Sequence, residues 1–301
     1  MKRIADAPLS PILDKIETEG FAIISPAFLD ESVDRICRRI ERPFGRRTIN
    51  GELGYVQYGC RRYLINPLTW GREIIDAYTD PLLTEICDRY SGGPVHLTSY
   101  RIYQTYASRS ETMEWHVDNK TKQFDENSGS WKTVIESDEK SLSAMLFLTD
   151  VVDGGLEVVS GSHKWAHQLT RGKFEVLNDH KDKFCNKIVT CNGLPRGSVI
   201  LFDNRIIHRG KPFASGPVRT VLLGQYQSER MPPGEPILLD TGDLGDLSEM
   251  QRRILRFGLA SSAPIYPVGR PFELFGALDW AKLGGCLVKD TMRRVFRSLR
   301  Q

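Results

Sequence analysis

Long hydrophobic runs are missing from this chain. No stretch of its 301 residues approaches the ~18 consecutive apolar positions that a bilayer-crossing helix needs. Paired cysteines are missing too. Cys37, Cys60, Cys87, Cys185, Cys191 and Cys286 include no C-x-x-C, which favours reduced thiols over a disulfide framework or a zinc ribbon. The opening "MKRIADAPLSPILDKIETEG" has acidic residues and no apolar centre. It does not read as a secretion signal, and a cytoplasmic protein is the expectation. Charge of one sign is nearly balanced at +3, so nothing drives the whole chain toward nucleic acid. Repeats, low-complexity tracts and Pro/Gly/Ser-rich linkers are also absent, and one domain over 1–301 is expected.

What is present is the composition of a globular protein, 40% hydrophobic and 26% charged. "GFAIISPAF" (20–28) reads as a short strand. "LDESVDRICRRIE" follows as a helix with Asp30 as N-cap and Val33, Ile36, Cys37 and Ile40 at helical spacing. "IIDAYTDPLLTEICDRYSGG" reads as one or two helices stopped at Gly92 and Gly93. The pattern then changes. "VHLTSYRIYQTY" (95–106), "SLSAMLFLTDV", "GSVILFDNRIIH" and "VRTVLLGQYQ" are strand candidates, separated by the turn-rich "VDGG" and "RGKPFASGP". The fold class is therefore α+β with a mainly β core. Residues 1–94 form a helical layer, 95–230 a β-sandwich or barrel, and 231–301 a helical extension in which "LSEMQRRILRFGL" is the clearest helix.

"EWHVDNK" (114–120) holds His116 and Asp118 two residues apart. On a strand both project to one side, so one imidazole and one carboxylate can meet a single ion. A lone H-x-D is common by chance. His208, at the end of "GSVILFDNRIIH", supplies a third arm. Two histidines and a carboxylate on one face of a metal are the facial triad of non-haem Fe(II) oxygenases, which leaves positions open for a co-substrate and O2. Eleven residues beyond His208 stands Arg219. If the two segments form an antiparallel hairpin, Arg219 returns beside the metal. A buried guanidinium needs an anion, and the far carboxylate of 2-oxoglutarate meets that need with two charge-assisted hydrogen bonds.

With these residues in place the chain resembles the phytanoyl-CoA dioxygenase family of Fe(II)/2-oxoglutarate oxygenases. "GFAIISPAFLDESVDRICRRIE", "WHVDN", "GGLEVVSGSHK" (154–164) and "GSVILFDNRIIHRG" with Arg219 occur in the family's order over about residues 18–226. Ser160 stands where the family commonly has proline, and the chain after 230 has no counterpart. The resemblance implies a double-stranded β-helix, or jelly roll, with flanking helices. It implies iron on His116, Asp118 and His208, with 2-oxoglutarate on Arg219 and O2 as co-substrates. Related halogenases have glycine or alanine in place of Asp118, so the carboxylate implies hydroxylation; desaturation, epimerisation and cyclisation begin with the same hydrogen abstraction.

In the resembling enzymes the strand equivalent to 97–105 lines the co-substrate pocket, which makes Arg101 and Tyr103, alternating with Ser99, candidates for binding 2-oxoglutarate or substrate. An outward-facing stripe is the other reading of that strand. Trp115 and Asn119 flank the motif and are candidates for the substrate mouth. His163 and His167 share zinc-helix spacing but lack a third ligand, and the resemblance makes His163 structural. His96 and His180 read as ordinary polar residues. The implied substrate is a small metabolite or natural-product intermediate, or a lipid-linked compound. A cupin-type isomerase or a ligand-binding jelly roll is the alternative, though it would have little use for Arg219 in step with the triad.

The last segment, 287–301, carries Lys289, Arg293, Arg294, Arg297 and Arg300 against Asp290, a local +4 that leaves −1 for the rest. Leu287, Val288, Met292, Val295, Phe296 and Leu299 form a stripe beside these charges. Such a helix suits docking on the domain or a second subunit, or contact with an anionic membrane surface.

Overall fold

The computed structural model describes residues 8–45, 54–57, 61–64, 66–107, 115–118, 120–125, 130–135, 139–165, 184–211, 218–231, 237–240, 242 and 245–257. Asn119, His167, His180 and the basic segment 287–301 lie outside them. No described helix is long and apolar enough to cross a membrane.

Helix α1 (Leu9–Glu19) buries Ile12 and Ile16, one turn apart. It ends at Gly20, whose positive φ of 87° puts its N–H on the Ile16 carbonyl. A side chain there would also strike His163, since a Cβ would lie 2.5 Å from Nδ1. Strand β1 (Phe21–Ile24) leads to α2 (Asp30–Gly45). Val33, Ile36, Ile40 and Phe44 bury one face of α2 at helical spacing, while Asp30 and Glu31 in the first turn suit the positive end of the helix dipole. After β2 (Gly54–Gln57) and β3 (Arg61–Leu64) come α3 (Arg72–Tyr78) and α4 (Pro81–Ser91). They are two helices because the Asp80 carboxylate accepts from the Leu82 and Leu83 N–H groups and Pro81 starts the second helix.

The remaining strands are β4 (Val95–Tyr106), β5 (Lys120–Asp125), β6 (Ser130–Ile135), β7 (Leu142–Phe147), β8 (Leu156–Val159), β9 (Ile188–Cys191), β10 (Val199–Asp203), β11 (His208–Gly210) and β12 (Val218–Ser228). They form an antiparallel major sheet in the order β1-β10-β7-β12-β4-β3-β2, a minor sheet β11-β8-β9, and a separate ribbon β5-β6. Strands from before residue 95 thus complete both ends of the major sheet. The last described helix, α5 (Glu249–Ile254), starts in a capping box between Ser248 and Gln251. It is shorter than its apolar pattern suggests, and Arg256 takes a φ of 63° just beyond it.

Strands β7 and β10 are buried at every residue, because each of their faces has a cover. Leu142, Ala144, Leu146, Val199 and Leu201 join the core beneath α1, α2 and α4. The alternate residues Met145, Phe147, Ile200 and Phe202 join a second core between the two sheets. A sheet covered by helices outside and a smaller sheet inside, all antiparallel, is the double-stranded β-helix.

"GSVILFDNRIIH" is not one strand. It divides into β10 and β11, which belong to different sheets. Asp203, fully buried, holds the intervening turn through Arg205 Nη2 at 2.7 Å and the Tyr90 hydroxyl at 2.5 Å. Ser162 Oγ accepts the Ile207 N–H at 2.8 Å. The "GSHK" segment therefore secures the turn that sends His208 to the minor sheet.

Candidate active site

His116 and His208 exchange backbone hydrogen bonds, 3.0 Å from His116 N to His208 O and 2.9 Å in return. The segment 115–118 thereby extends the minor sheet beyond β11. Asp118 N–H donates to the Asn204 carbonyl at 2.8 Å, and the Asn204 side chain is pinned by Ser143 at 2.6 Å and Ser141 at 3.0 Å. Two ligand-bearing segments thus share one rigid turn.

Parity then sorts the side chains. His116 and Asp118 face the space between the sheets, while Trp115 and Val117 pack away from it with Val159, Phe184 and Ile207. Trp115 meets Phe184 edge-on at 4.9 Å and lies under the Arg209 guanidinium at 4.3 Å. It is not a mouth residue.

His116 Nε2 is 3.7 Å from Asp118 Oδ1, and His208 Nε2 is 3.6 Å from Asp118 Oδ2. The three candidate ligand atoms lie within 4.8 Å of one another. These gaps exceed hydrogen bonds and suit donors gathered about one ion, whose bonds are ~2.0–2.2 Å. His208 Nδ1 lies 3.0 Å from the Ile206 carbonyl, which fixes Nδ1 as the N–H and leaves the Nε2 lone pair toward the cleft. Gln225 Nε2 donates to Asp118 Oδ2 at 3.0 Å. Two imidazoles, one carboxylate and these orienting bonds fit Fe(II). Among the described residues this is the one such group. His163 instead packs beside Gly20, with Nε2 3.2 Å from the Glu17 carbonyl, and burial lowers its pKa. Its place is structural.

Opposite the triad, the register of the major sheet stacks inward-facing side chains in rows. Arg219 pairs with Thr105, which pairs with Arg61. The next rows hold Val221, Tyr103 and Tyr63, then Leu223 and Arg101, then Gln225 and Ser99. All of these except Thr105, together with the triad, Met145, Phe147, Leu156, Phe202 and Gly210, line a cavity of about 150 Å³. Ser99, Arg101 and Tyr103 therefore face inward, not out.

Arg219 and Arg61 are both buried, at 5% and 7% exposure. Arg61 sits 5.5 Å from the centre of the Tyr103 ring. Burial raises the Tyr103 hydroxyl pKa, and the charges of Arg61, Arg219 and Arg101 pull the other way. Arg219 does not reach the site through a hairpin with His208. β11 pairs with β8, and β12 pairs with β4 and β7, so the two residues approach from opposing sheets.

Sequence reasoning missed Arg61, Tyr63 and Gln225. Gln225 had a signal, since 219, 221, 223 and 225 alternate on one strand face. Replacing it by leucine is expected to weaken Fe(II) binding about 10- to 100-fold, the usual cost of losing a partner to a metal ligand. An anaerobic metal titration measures this, and unchanged affinity would mean that the Gln225–Asp118 bond is idle.

A family model described as phytanoyl-CoA dioxygenase matches residues 16–221. The chain belongs to the phytanoyl-CoA dioxygenase family. L-proline trans-4-hydroxylase of Streptomyces griseoviridis is 24% identical to this member over 181 residues, 52% of this chain and 63% of that protein. The chain thus spans less than two thirds of that relative's length. Among solved structures, HygX of Streptomyces hygroscopicus, with nickel, 2-oxoglutarate and hygromycin B bound, superposes with a TM-score of 0.57 at 18% identity, over 78% of this chain and 94% of that one. The epimerase SnoN, in complex with Fe3+, alpha ketoglutarate and nogalamycin RO, gives 0.57 at 15%, over 86% of this chain and 96% of its own. Both likenesses establish the family's fold in this chain.

Proposed function

We propose that this phytanoyl-CoA dioxygenase family member is an Fe(II)- and 2-oxoglutarate-dependent oxygenase that hydroxylates an unactivated C–H bond of a small metabolite or natural-product intermediate. The observation that carries the proposal is the meeting of His116, Asp118 and His208 with Arg219 in one cleft. A protein that only held a ligand would not need an open-faced metal triad opposite a buried guanidinium.

The three ligands would hold iron on one face, leaving the other face for the 2-oxo acid and O2. When bound, iron would activate O2, the oxidant, with 2-oxoglutarate giving two electrons as it becomes succinate and CO2 and the substrate C–H giving the other two. The chain's own residues supply position and dryness. Arg219, with Arg61 beside it, would grip the distal carboxylate. Phe147, Val221, Leu223, Met145 and Phe202 exclude water, which strengthens those polar contacts. Gln225 holds the Asp118 carboxylate in one orientation. Asp118 fills the ligand place that halogenation would require to be open. The substrate class draws support from the hydroxylase relative, named for an amino acid, and from the natural-product ligands in the two similar structures.

The test is anaerobic addition of 2-oxoglutarate to the Fe(II)-loaded protein, followed by exposure to O2. A visible metal-to-ligand charge-transfer band and slow succinate release are the expected results. With neither, the oxygenase assignment fails and a non-oxygenase jelly roll takes its place.

A further inference from the structure

The cleft is closed at one end and open at the other. Along its lining Arg219 and Val221 are buried, whereas Leu223, Gln225, Ser99 and Asp118 are half-exposed. The open end is therefore the metal end, where a prime substrate reaches the triad.

Gln225 stands at that opening with its amide already oriented. A metal-binding carboxylate only accepts hydrogen bonds, so the group 3.0 Å from Asp118 Oδ2 is the Gln225 N–H donor. The amide oxygen, Oε1, is then the atom turned away from Asp118, and among the described residues no group donates to it. The neighbours of Gln225 across the sheet, Ser99 on β4 and Ser143 on β7, are short. The Ser143 hydroxyl donates elsewhere, to Asn204 Oδ1 at 2.6 Å. Oε1 is thus an open acceptor beside a metal ligand.

The backbone under this amide is held on both sides. The register of β4 and β12 slips between Gln225 and Tyr226, which leaves Thr98 as the extra residue of a bulge, a device that re-aims side chains. Thr98 Oγ1 donates to the Gln225 carbonyl at 3.2 Å. The Tyr226 hydroxyl donates to the Tyr78 carbonyl at 2.5 Å. Gly224 packs so tightly on α3 that a Cβ there would lie 2.9 Å from Tyr78 Cδ1. Gln225 is presented to the cleft with little freedom left to lose on binding.

Resting on the oxygenase assignment above, we infer that Gln225 is a specificity-determining residue: the prime substrate carries a hydroxyl or amine that donates to Gln225 Oε1, close to the C–H that is oxidised. One amide then orients both partners of the reaction, the iron ligand through its N–H and the substrate through its oxygen. An analogue without the donor would cover Oε1 and leave it unpaired. Such a mismatch discriminates more strongly than the loss of one apolar contact.

The experiment uses the full chain with saturating Fe(II) and 2-oxoglutarate, so that metal loading limits no variant. Its probes are amino acids, amino sugars and cyclic polyols, each beside its fully N- or O-methylated counterpart. Methylation removes the donors and, on nitrogen, keeps the charge. Two readouts are taken: titration of the anaerobic charge-transfer band, and succinate release above the level without a probe. At least one donor-bearing probe is expected to change both, with its methylated counterpart about 10- to 100-fold weaker. Gln225→Leu is expected to weaken that probe by a similar factor and to spare the counterpart, which separates a lost hydrogen bond from added bulk. Gln225→Lys keeps a donor for Asp118 and has no acceptor. It should hold Fe(II) better than Gln225→Leu and still show no preference among the hydroxyl probes.

The inference is overturned if the methylated counterparts act as well as their parents, or if no donor-bearing probe perturbs the band. It is also overturned if either variant keeps the preference for a hydroxyl probe over its methyl ether. A wild-type protein that gives no band with Fe(II) and 2-oxoglutarate sinks the oxygenase assignment instead, so the two failures are distinct.

Discussion

Asp118→Ala is expected to abolish succinate formation and to strip the site of usable iron. The carboxylate is the sole anion among the three ligands, and its two oxygens lie 3.7 Å from His116 Nε2 and 3.6 Å from His208 Nε2. Without it a divalent cation keeps two neutral donors and loses its Coulombic attraction. A fall in turnover of about 10³-fold or more corresponds to at least ~4 kcal/mol of lost transition-state stabilisation. The fold should persist, because the Asp118 backbone, and not its side chain, bonds the Asn204 carbonyl. Cooperative thermal unfolding of the metal-free variant checks this. Asp118→Asn separates charge from shape, since it is isosteric but neutral. If Asp118→Ala kept wild-type iron affinity and turnover, the metal would have to sit elsewhere.

The path from residues to this cleft was partly open in the sequence. Spacing of two placed His116 and Asp118 on one side, and the bridge to His208 keeps that parity. "SLSAMLFLTDV" reads as a strand, and the structure shows β7 covered on both faces. The hairpin expected between His208 and Arg219 did not form, because Asp203 is buried by Tyr90 and Arg205 and the chain turns there into the other sheet. Arg205 is two residues away, but Tyr90 comes from the distant helix α4, a contact that no local pattern encodes. Arg61 was hidden for a similar reason. Its role depends on β3 pairing with β4 so that Arg61 falls opposite Thr105, and strand register is a long-range property. Trp115 misled because adjacency in sequence to a ligand means the opposite face on an extended chain.

Arg219→Ala should act on the co-substrate and leave the metal alone. Arg219 is 5% exposed, on the row it shares with Arg61. Removing one partner of a buried, hydrogen-bonded charge pair costs about 2–5 kcal/mol. At ~3 kcal/mol the half-saturating 2-oxoglutarate concentration rises about 100-fold, while kcat at saturation falls far less. Fe(II) affinity without 2-oxoglutarate should stay as in the wild type, because Arg219 is not one of the three candidate metal ligands. Arg61→Gln should cost less, since Arg219 retains the forked grip. The double variant should lose less than the sum of the two, as expected of neighbours serving one carboxylate. Arg219→Lys should recover part of the affinity, as a point charge without the planar fork. A sharper comparison uses 2-oxobutyrate, which has the 2-oxo acid but no distal carboxylate. The wild type should strongly prefer 2-oxoglutarate over it, and Arg219→Ala should erase most of that preference. If the preference survived intact, the distal carboxylate would be held somewhere other than on this row.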